Sequence, residues 1–511
     1  MDVLKDSSPR KCSFEEALDV TGFGKYNMAM LISCCLIILA MYLDIFALSV
    51  VLPAAACDFG LTTSQQGAMS AMPLMGVMVS SYAWGLCVDT IGRRKTLLIA
   101  MPIGILLNIA TSVASSFAYL ATLKFLSATF TSSANAAAFV LLGESASRRY
   151  RSRCMFLMAS ATMCSQLIIC AIALPVFSAR FSIPISWLNM EYRPWHLLLL
   201  MISLPGVFGV VGIAVLCESP KFLLSKGQEK NALKALKCIY IWNTRSKGDF
   251  PVTALYLDDT VASTDTKQND KVSFIRKMWD QTAPLFKPPL LKNSAVVYYL
   301  LLCAYMTSTG FTMWIPTIAN AYFSSNDSSG KTFCEVASTA ARPKHNASVD
   351  CNNVIPSLTL YAVMVYSGGA AGANVLLSFI VKPFGKKRTT LLTFFISTVC
   401  GILLFFVKIP LLSIALFYAF LYVAVILGNA NTYLVELNPT YLRGMATCLS
   451  VIVARGFGFM SVQLIATVLA DHCTLMLVGY VALVFSGFLA AMFLPSDCKM
   501  DDSSNVNLSP K

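Results

Sequence analysis

Apolar runs of about twenty residues recur almost from end to end of this chain, and that recurrence constrains its fold more than any other feature. A helix rises 1.5 Å per residue, so about 20 apolar residues cross the ~30 Å hydrocarbon layer of a bilayer. Twelve stretches qualify: 28–53, 67–88, 96–116, 119–143, 154–177 and 195–217, then 295–319, 355–381, 389–407, 411–434, 445–470 and 474–494. They must be helices, because each unpaired backbone polar group costs several kcal/mol in lipid, and the ten-residue alternation of barrel strands is missing. With 13% charged residues against about 25% in soluble proteins, the chain has no room for a soluble enzyme domain. The expected fold class is therefore all-α: a polytopic membrane protein with twelve transmembrane helices. The expected organisation is a cytosolic N-terminus (1–27), a first six-helix bundle (28–217) and a cytosolic loop with short helices (218–294). A second six-helix bundle (295–494, with an outer loop at 320–354) and a cytosolic tail (495–511) complete it.

The net charge of +13 reports topology rather than a nucleic-acid partner, because the basic residues lie in short loops and not on one face of a folded domain. If the N-terminus is inside, 31 of the 39 Lys and Arg fall on the cytosolic side. Six fall outside (Arg180, Arg193, Lys331, Arg342, Lys344, Lys408), and Lys124 and Arg455 fall within spans. This asymmetry puts both termini in the cytosol. The first 27 residues carry charge throughout and lack the early apolar core of a signal peptide. Of 17 cysteines, Cys334 and Cys351 share the long outer loop with the sequons at Asn326 and Asn346, so that loop reads as oxidising and glycosylated, with the two cysteines as disulfide candidates. The sequon at Asn507 falls on the cytosolic side and is expected to stay unmodified.

The halves repeat. Gly85-Leu-Cys-Val-Asp89-Thr-Ile-Gly92-Arg93-Arg94-Lys95 follows span 2, and a weaker Phe384-Gly385-Lys386-Lys387-Arg388 follows span 8, with Gly92 and Gly385 293 positions apart. Glu144 and Arg151 after span 4 recur as Glu436 and Arg443 after span 10, each pair 292 positions apart. Two motifs at nearly one offset imply a duplicated six-helix unit, and an even number of spans per unit makes the repeats parallel.

The GxxxDxxGRRK loop, the repeated ExxPxxxR-like loops and Glu218-Ser-Pro-Lys221 after span 6 resemble the major facilitator superfamily along the whole chain. Phe14-Glu-Glu-Ala17, Thr21-Gly-Phe-Gly-Lys25, Leu52-Pro-Ala-Ala-Ala-Cys57-Asp58 and Thr63-Ser-Gln-Gln-Gly67 resemble its synaptic vesicle glycoprotein 2 and related-protein branch, near the organic ion transporters. One departure is the outer loop: vesicle glycoproteins of that branch carry a large luminal domain between spans 7 and 8, where this chain has only about 35 residues. The resemblance implies alternating access by two rocking bundles, with spans 1, 4, 7 and 10 lining a central cavity. Lys382 stands where the second loop would carry Asp, Ser147 where Pro is expected and Ser152 where Gly is.

Physically, Gly85 and Gly92 permit close helix approach, Asp89 can serve a helix N-terminus, and Arg93 and Arg94 offer forked donors to Glu144 or Glu218. With Arg151, Glu436 and Arg443 they form a candidate cytoplasmic gate, favouring the outward-facing state if its ion pairs form only while the inner side is closed. The bland alternative is that these basic residues only anchor topology. Within the hydrocarbon, Asp44, Lys124 and Arg455 each cost about 2.5–3.5 kcal/mol on insertion scales and call for a partner or a cavity. Asp44 and Lys124 lie at depths that let them meet, either as a proton-sensitive or substrate-opened switch or as a structural ion pair. Arg455, near the midplane, suits an anionic substrate, and organic anion transporters resemble the chain in carrying a basic residue in span 11. The competing reading makes Asp44 a cation site. Tyr305, Trp314, Tyr366 and Tyr422 are candidate cavity aromatics, with packing as the alternative for each.

No Walker loop, metal-ligand cluster or nucleophile triad is present in the sequence, so ATP-driven pumping and hydrolysis are disfavoured and no cofactor or metal is expected. The expected function is secondary or facilitative transport of a small organic ion, leaning to anion or zwitterion, with protons as a candidate coupling ion. The protein is expected as a monomer in the lipid bilayer of the plasma membrane or a vesicle, with no nucleic-acid partner. The rival reading is a non-transporting membrane glycoprotein that uses this fold as a trafficking scaffold.

Overall fold

The computed structural model describes residues 10–179, 181–186, 190–244, 250–256, 288, 290–324, 330–341, 356–437 and 443–495. The first six spans are Lys25–Phe59, Thr63–Thr90, Arg93–Thr111, Phe117–Thr131 continued by Ser133–Ser145, Arg148–Met163 continued by Ser165–Ser178, and Pro194–Met201 continued by Leu204–Val215. Spans 7 to 9 are Leu290–Ser324, Ser357–Phe384 and Lys386–Leu403. Span 10 is Pro410–Leu421, a 3-10 segment Tyr422–Ile426 and Leu427–Leu437; spans 11 and 12 are Arg443–Val468 and Cys473–Ala491. Ten of these are long and apolar enough to cross a bilayer as they stand, and span 5 is so as a pair of helices bent by 45°. Span 9 opens on Lys386, Lys387 and Arg388, which shortens the apolar part of its helix; the apolar sequence runs on through turns at 404–406.

Local chemistry sets the boundaries. Span 1 ends where Gly60 turns left-handed (φ 62°), and span 2 begins at a Thr62 to Gln65 capping box. The sequence repeat is a backbone repeat too: Gly92 (φ 117°) and Gly385 (φ 86°) make the same positive-φ turn into spans 3 and 9. A Cβ at Gly92 would sit 2.7 Å from a Glu218 carboxylate oxygen. Between the halves, span 2 packs on span 11, span 5 on span 8 and span 1 on span 7.

One end of the molecule, here the basic face, carries a cap that includes a strand pair the sequence did not suggest. Strand Arg10–Ser13 pairs in parallel with Val252–Tyr256 of the loop between the halves. Helices Phe14–Val20 and Glu229–Thr244 pack on the pair, and Pro220–Ser225 packs on Glu229–Thr244. Asn243 fastens this cap to span 1: its amide donates to Asn27 Oδ1 (2.7 Å) and the Thr21 carbonyl (3.1 Å), and its oxygen accepts from Tyr26 N–H (3.1 Å).

At the opposite face the helix Phe333–Ala341 is pinned to the second half. Phe333 is fully buried against Phe417, with ring centroids 4.8 Å apart. Of the two disulfide candidates, Cys334 is bonded to Cys473, at the start of span 12, across Cα atoms 5.5 Å apart. Burial of Phe333 brings its neighbour to that helix end, a proximity 139 residues away in sequence that cysteine spacing cannot reveal. Cys57 is disulfide-bonded as well. Cys351, Asn326 and Asn346 lie outside the described residues. The Thr332 N–H donates to Glu335 at 2.6 Å and, with the Thr332 side chain, holds that exposed carboxyl below its ordinary range.

Candidate functional site

The three intramembrane charges fall into two different environments. Asp44 and Lys124 meet at 2.8 Å, with side chains 1% and 0% exposed. Span 4 presents Lys124, Ser127 and Thr131 on one face, three and four residues apart. Asp44 accepts from all three, at 2.8, 2.6 and 3.2 Å. Lys124 also donates to Asn108 Oδ1 of span 3 at 2.7 Å, and the Asn108 amide donates to Ser203 of span 6 at 3.0 Å. The pair is thus enclosed within the first half, tying spans 1, 3, 4 and 6 together.

Arg455 differs. It is 5% exposed, and the contacts of its guanidinium are with Tyr42, by a 3.3 Å hydrogen bond to the hydroxyl and at 5.5 Å over the ring. Among the described residues it makes no salt bridge. Residues two apart on a helix point about 160° from one another, so Asp44 facing into its own bundle turns Tyr42 toward the second half. Tyr305 of span 7 lies within electrostatic reach of Arg455 and Tyr42. This cluster spans the two halves.

A second interface layer lies nearby. Gln166 of span 5 donates to Ser49 Oγ and to the Thr312 carbonyl of span 7, both at 3.3 Å. Thr312 and Tyr366 exchange a hydroxyl hydrogen bond at 3.1 Å, and Tyr366 stacks on Tyr422 with ring centroids 5.8 Å apart. Tyr422 opens the 3-10 segment of span 10, and a Cβ at Gly369 would collide with its hydroxyl at 2.1 Å. Trp314 points elsewhere: it is buried in the second half and donates to the Val462 carbonyl at 3.4 Å.

These contacts join the two halves. Gly67, near the opposite-face end of span 2, lies so close to span 11 that an added Cβ would meet Ala466 at 2.2 Å. Along span 8 a Cβ at Gly368 would touch Leu167 at 3.5 Å, whereas one at Gly372, a turn further on, would meet nothing within 4 Å.

At the basic face, Arg93 bonds Glu144 (3.1 Å) and Asp89 (3.4 Å) and lies over the Phe222 ring. Glu218 caps span 3 by accepting from the backbone N–H of Arg94 (2.9 Å) and Lys95 (3.2 Å). The Arg94 side chain goes to the Ile213 and Ala214 carbonyls rather than to a carboxylate, and Arg151 pairs with Glu15 at 2.8 Å. Every partner belongs to the first half, its N-terminal helix or the start of the loop that follows span 6; among the described residues no ion pair of this set reaches the second half. The reason is proximity, since spans 4 and 6 bring Glu144 and Glu218 directly beneath the loop. Gly85 lies in span 2; the side chains of Glu436 and Arg443 fall outside the described residues.

Over residues 34–461 the chain matches the Major Facilitator Superfamily. It belongs to that superfamily. It is 24% identical to synaptic vesicle glycoprotein 2C of Mus musculus over 328 residues, 60% of this chain and 44% of that protein. It is 22% identical to the putative transporter svop-1 of Caenorhabditis elegans over 509 residues, 98% of this chain and 88% of that one. The alignment with the vesicle glycoprotein thus spans less than half of its length, while that with the worm protein runs nearly end to end. Among solved structures, the partially occluded inward-open conformation of the xylose transporter XylE from E. coli superposes with a TM-score of 0.63 at 14% identity, covering 92% of this chain and 100% of that one. The chain therefore has the major facilitator fold, and its similarities lie in the synaptic vesicle glycoprotein 2 branch.

Sequence reasoning named neither Tyr42, Gln166, Thr312 nor Asn108. Tyr42 had a usable signal, an aromatic placed two residues from a buried Asp. Gln166 and Asn108 were uncharged polar residues in apolar runs and were passed over for that reason.

Proposed function

We propose that this protein is a secondary or facilitative carrier that moves a small organic ion, preferentially an anion or zwitterion, by alternating access of its two bundles. The observation that carries the reading is Arg455, a buried cation between the halves that an aromatic ring and hydroxyl contact but no described carboxylate neutralises. A charge left so in the bilayer interior is costly, and a substrate carboxylate or similar anionic group would offset that cost with forked hydrogen bonds. Tyr42 and Tyr305 would hold the adjoining part of the substrate, and Tyr366 and Tyr422 would form the roof above it. The Asp44 and Lys124 pair would serve as the coupling element, since separating the two charges would loosen four spans at once. The basic residues on the cap face support a cytosolic placement of that face and of both termini. The staple of Arg93, Glu144 and Glu218 would keep the cytosolic end of the first bundle rigid as it rocks. The membrane would be the plasma membrane or that of a vesicle.

The test is uptake of a mixed panel of organic anions, zwitterions and cations into proteoliposomes, with and without an imposed proton gradient, by the parent protein, Arg455→Met and Asp44→Asn. Anion accumulation abolished by Arg455→Met supports the reading, and gradient dependence lost in Asp44→Asn protein that is folded and still takes up anions assigns the coupling role. Uptake of cations alone would reverse the charge assignment, and no uptake by folded protein would leave the scaffold role.

A further inference from the structure

Span 5 bends by 45° between Met163 and Ser165. The residues at the break are Met163, Cys164 and Ser165, and the proline of this span, Pro175, lies ten positions beyond Ser165. Sharp bends arise at proline, at glycine and serine pairs, at π-bulges, or where a side chain enters the i to i−4 ladder. The last applies here. In a continuous helix the Leu167 N–H would donate to the Met163 carbonyl. Instead the Leu167 N–H donates to Ser367 Oγ at 3.2 Å, and the Ser367 hydroxyl donates to the Met163 carbonyl at 2.9 Å. Ser367 belongs to span 8, in the other half of the molecule, and is 2% exposed. The same bend aims Gln166, one residue earlier, at the Thr312 carbonyl of span 7.

We propose that Ser367 is a latch between the halves: its hydroxyl stands in for one hydrogen bond of span 5, so that parting span 8 from span 5 lets Leu167 re-pair with Met163 and straightens the helix. The hydrogen bonds balance in both states. Docked, the hydroxyl accepts one bond and donates another; parted, Leu167 bonds Met163 and the Ser367 hydroxyl turns to the carbonyl four residues back in its own helix, as buried serines do. Neither state strands a buried donor, which is what allows two discrete arrangements of similar energy. Ser367 thus makes the opening of the opposite-face side and the straightening of span 5 a single event. The inference rests on the alternating-access reading but requires no knowledge of the substrate.

The test measures the distance between genetically encoded spin labels at Ser178 and Ser357, exposed opposite-face ends of spans 5 and 8, in reconstituted full-length protein without substrate. The labels leave the native cysteines untouched. The parent should show a main short distance and a minor longer one. Ser367→Ala should raise the longer component about fivefold, the worth of one hydrogen bond. Adding Leu167→Pro, which removes the N–H that straightening requires, should return it to the parent level. If Ser367→Ala does not fold, Leu167→Pro alone carries the test and should leave the longer component at or below the parent level. A two-component parent that Ser367→Ala leaves unmoved overturns the latch, as does a longer component raised by Leu167→Pro. A single fixed distance in every protein overturns the latch and the rocking of the halves together.

Discussion

The first half buries a charge pair and the second half buries a lone charge, and the difference separates a pair satisfied within one body from a charge left open to a ligand. Asp44 and Lys124 are held by Ser127, Thr131 and Asn108, so each charged group has its partners within one bundle. Arg455, also buried, has Tyr42 from the other bundle and no carboxylate among the described residues. Burial alone is therefore a poor marker of function. What distinguishes the two is whether the polar groups are satisfied by the same rigid body or left to something that comes and goes.

Removing one member of the satisfied pair should have the largest effect. Lys124→Met leaves the Asp44 carboxylate buried without its cation and should cost about 3–5 kcal/mol of stability, read from denaturation in detergent. The double variant Lys124→Met with Asp44→Asn should recover most of that loss; a single-variant cost below about 1 kcal/mol would break the contrast from this side. Arg455→Met should behave oppositely. Its anion affinity should fall by up to about 100-fold, the worth of charged hydrogen bonds, while its melting temperature stays near or above that of the parent. Equal destabilisation by Arg455→Met and Lys124→Met would erase the distinction. Asn108→Ala strips Lys124 of one acceptor and should cost about 1–2 kcal/mol. Tyr42→Phe keeps the ring over Arg455 and loses the hydroxyl, so anion affinity should drop only about threefold.

The smallest effect is an exposed control. Glu335 is held below the ordinary glutamate range by the Thr332 backbone N–H. A depressed folded-state value contributes stability above the ordinary glutamate range and loses it as pH falls through the lowered value. The melting temperatures of the parent and Glu335→Gln should therefore differ slightly at neutral pH and converge in acid.

Much of the architecture was legible because lipid imposes a simple rule: runs of about twenty apolar residues must become helices. The repeat was legible as well, since Gly92 and Gly385 share both an offset and a positive-φ turn. What stayed hidden depends on partners distant in sequence. The bend in span 5 has no proline at its break, and its cause is a serine 200 residues from Leu167. The pairing of Arg10–Ser13 with Val252–Tyr256 joins two short segments that carry no strand signal strong enough to stand apart from their surroundings. Cys334 had several possible partners, and its bond to Cys473 depends on a tertiary contact 139 residues away in sequence. The Arg93 and Glu218 motif was readable as a set of charges, but not the fact that its described bonds stay within one half.

The most direct measurement is thermal stabilisation of the purified protein by a panel of organic anions and size-matched cations, in the parent and in Arg455→Met. A ligand at 100 times its dissociation constant adds about 2.7 kcal/mol to the folded state. At least one anion should raise the melting temperature of the parent and fail to do so in Arg455→Met, with cations inert in both. Stabilisation by cations, or an anion effect that survives Arg455→Met, would contradict the account.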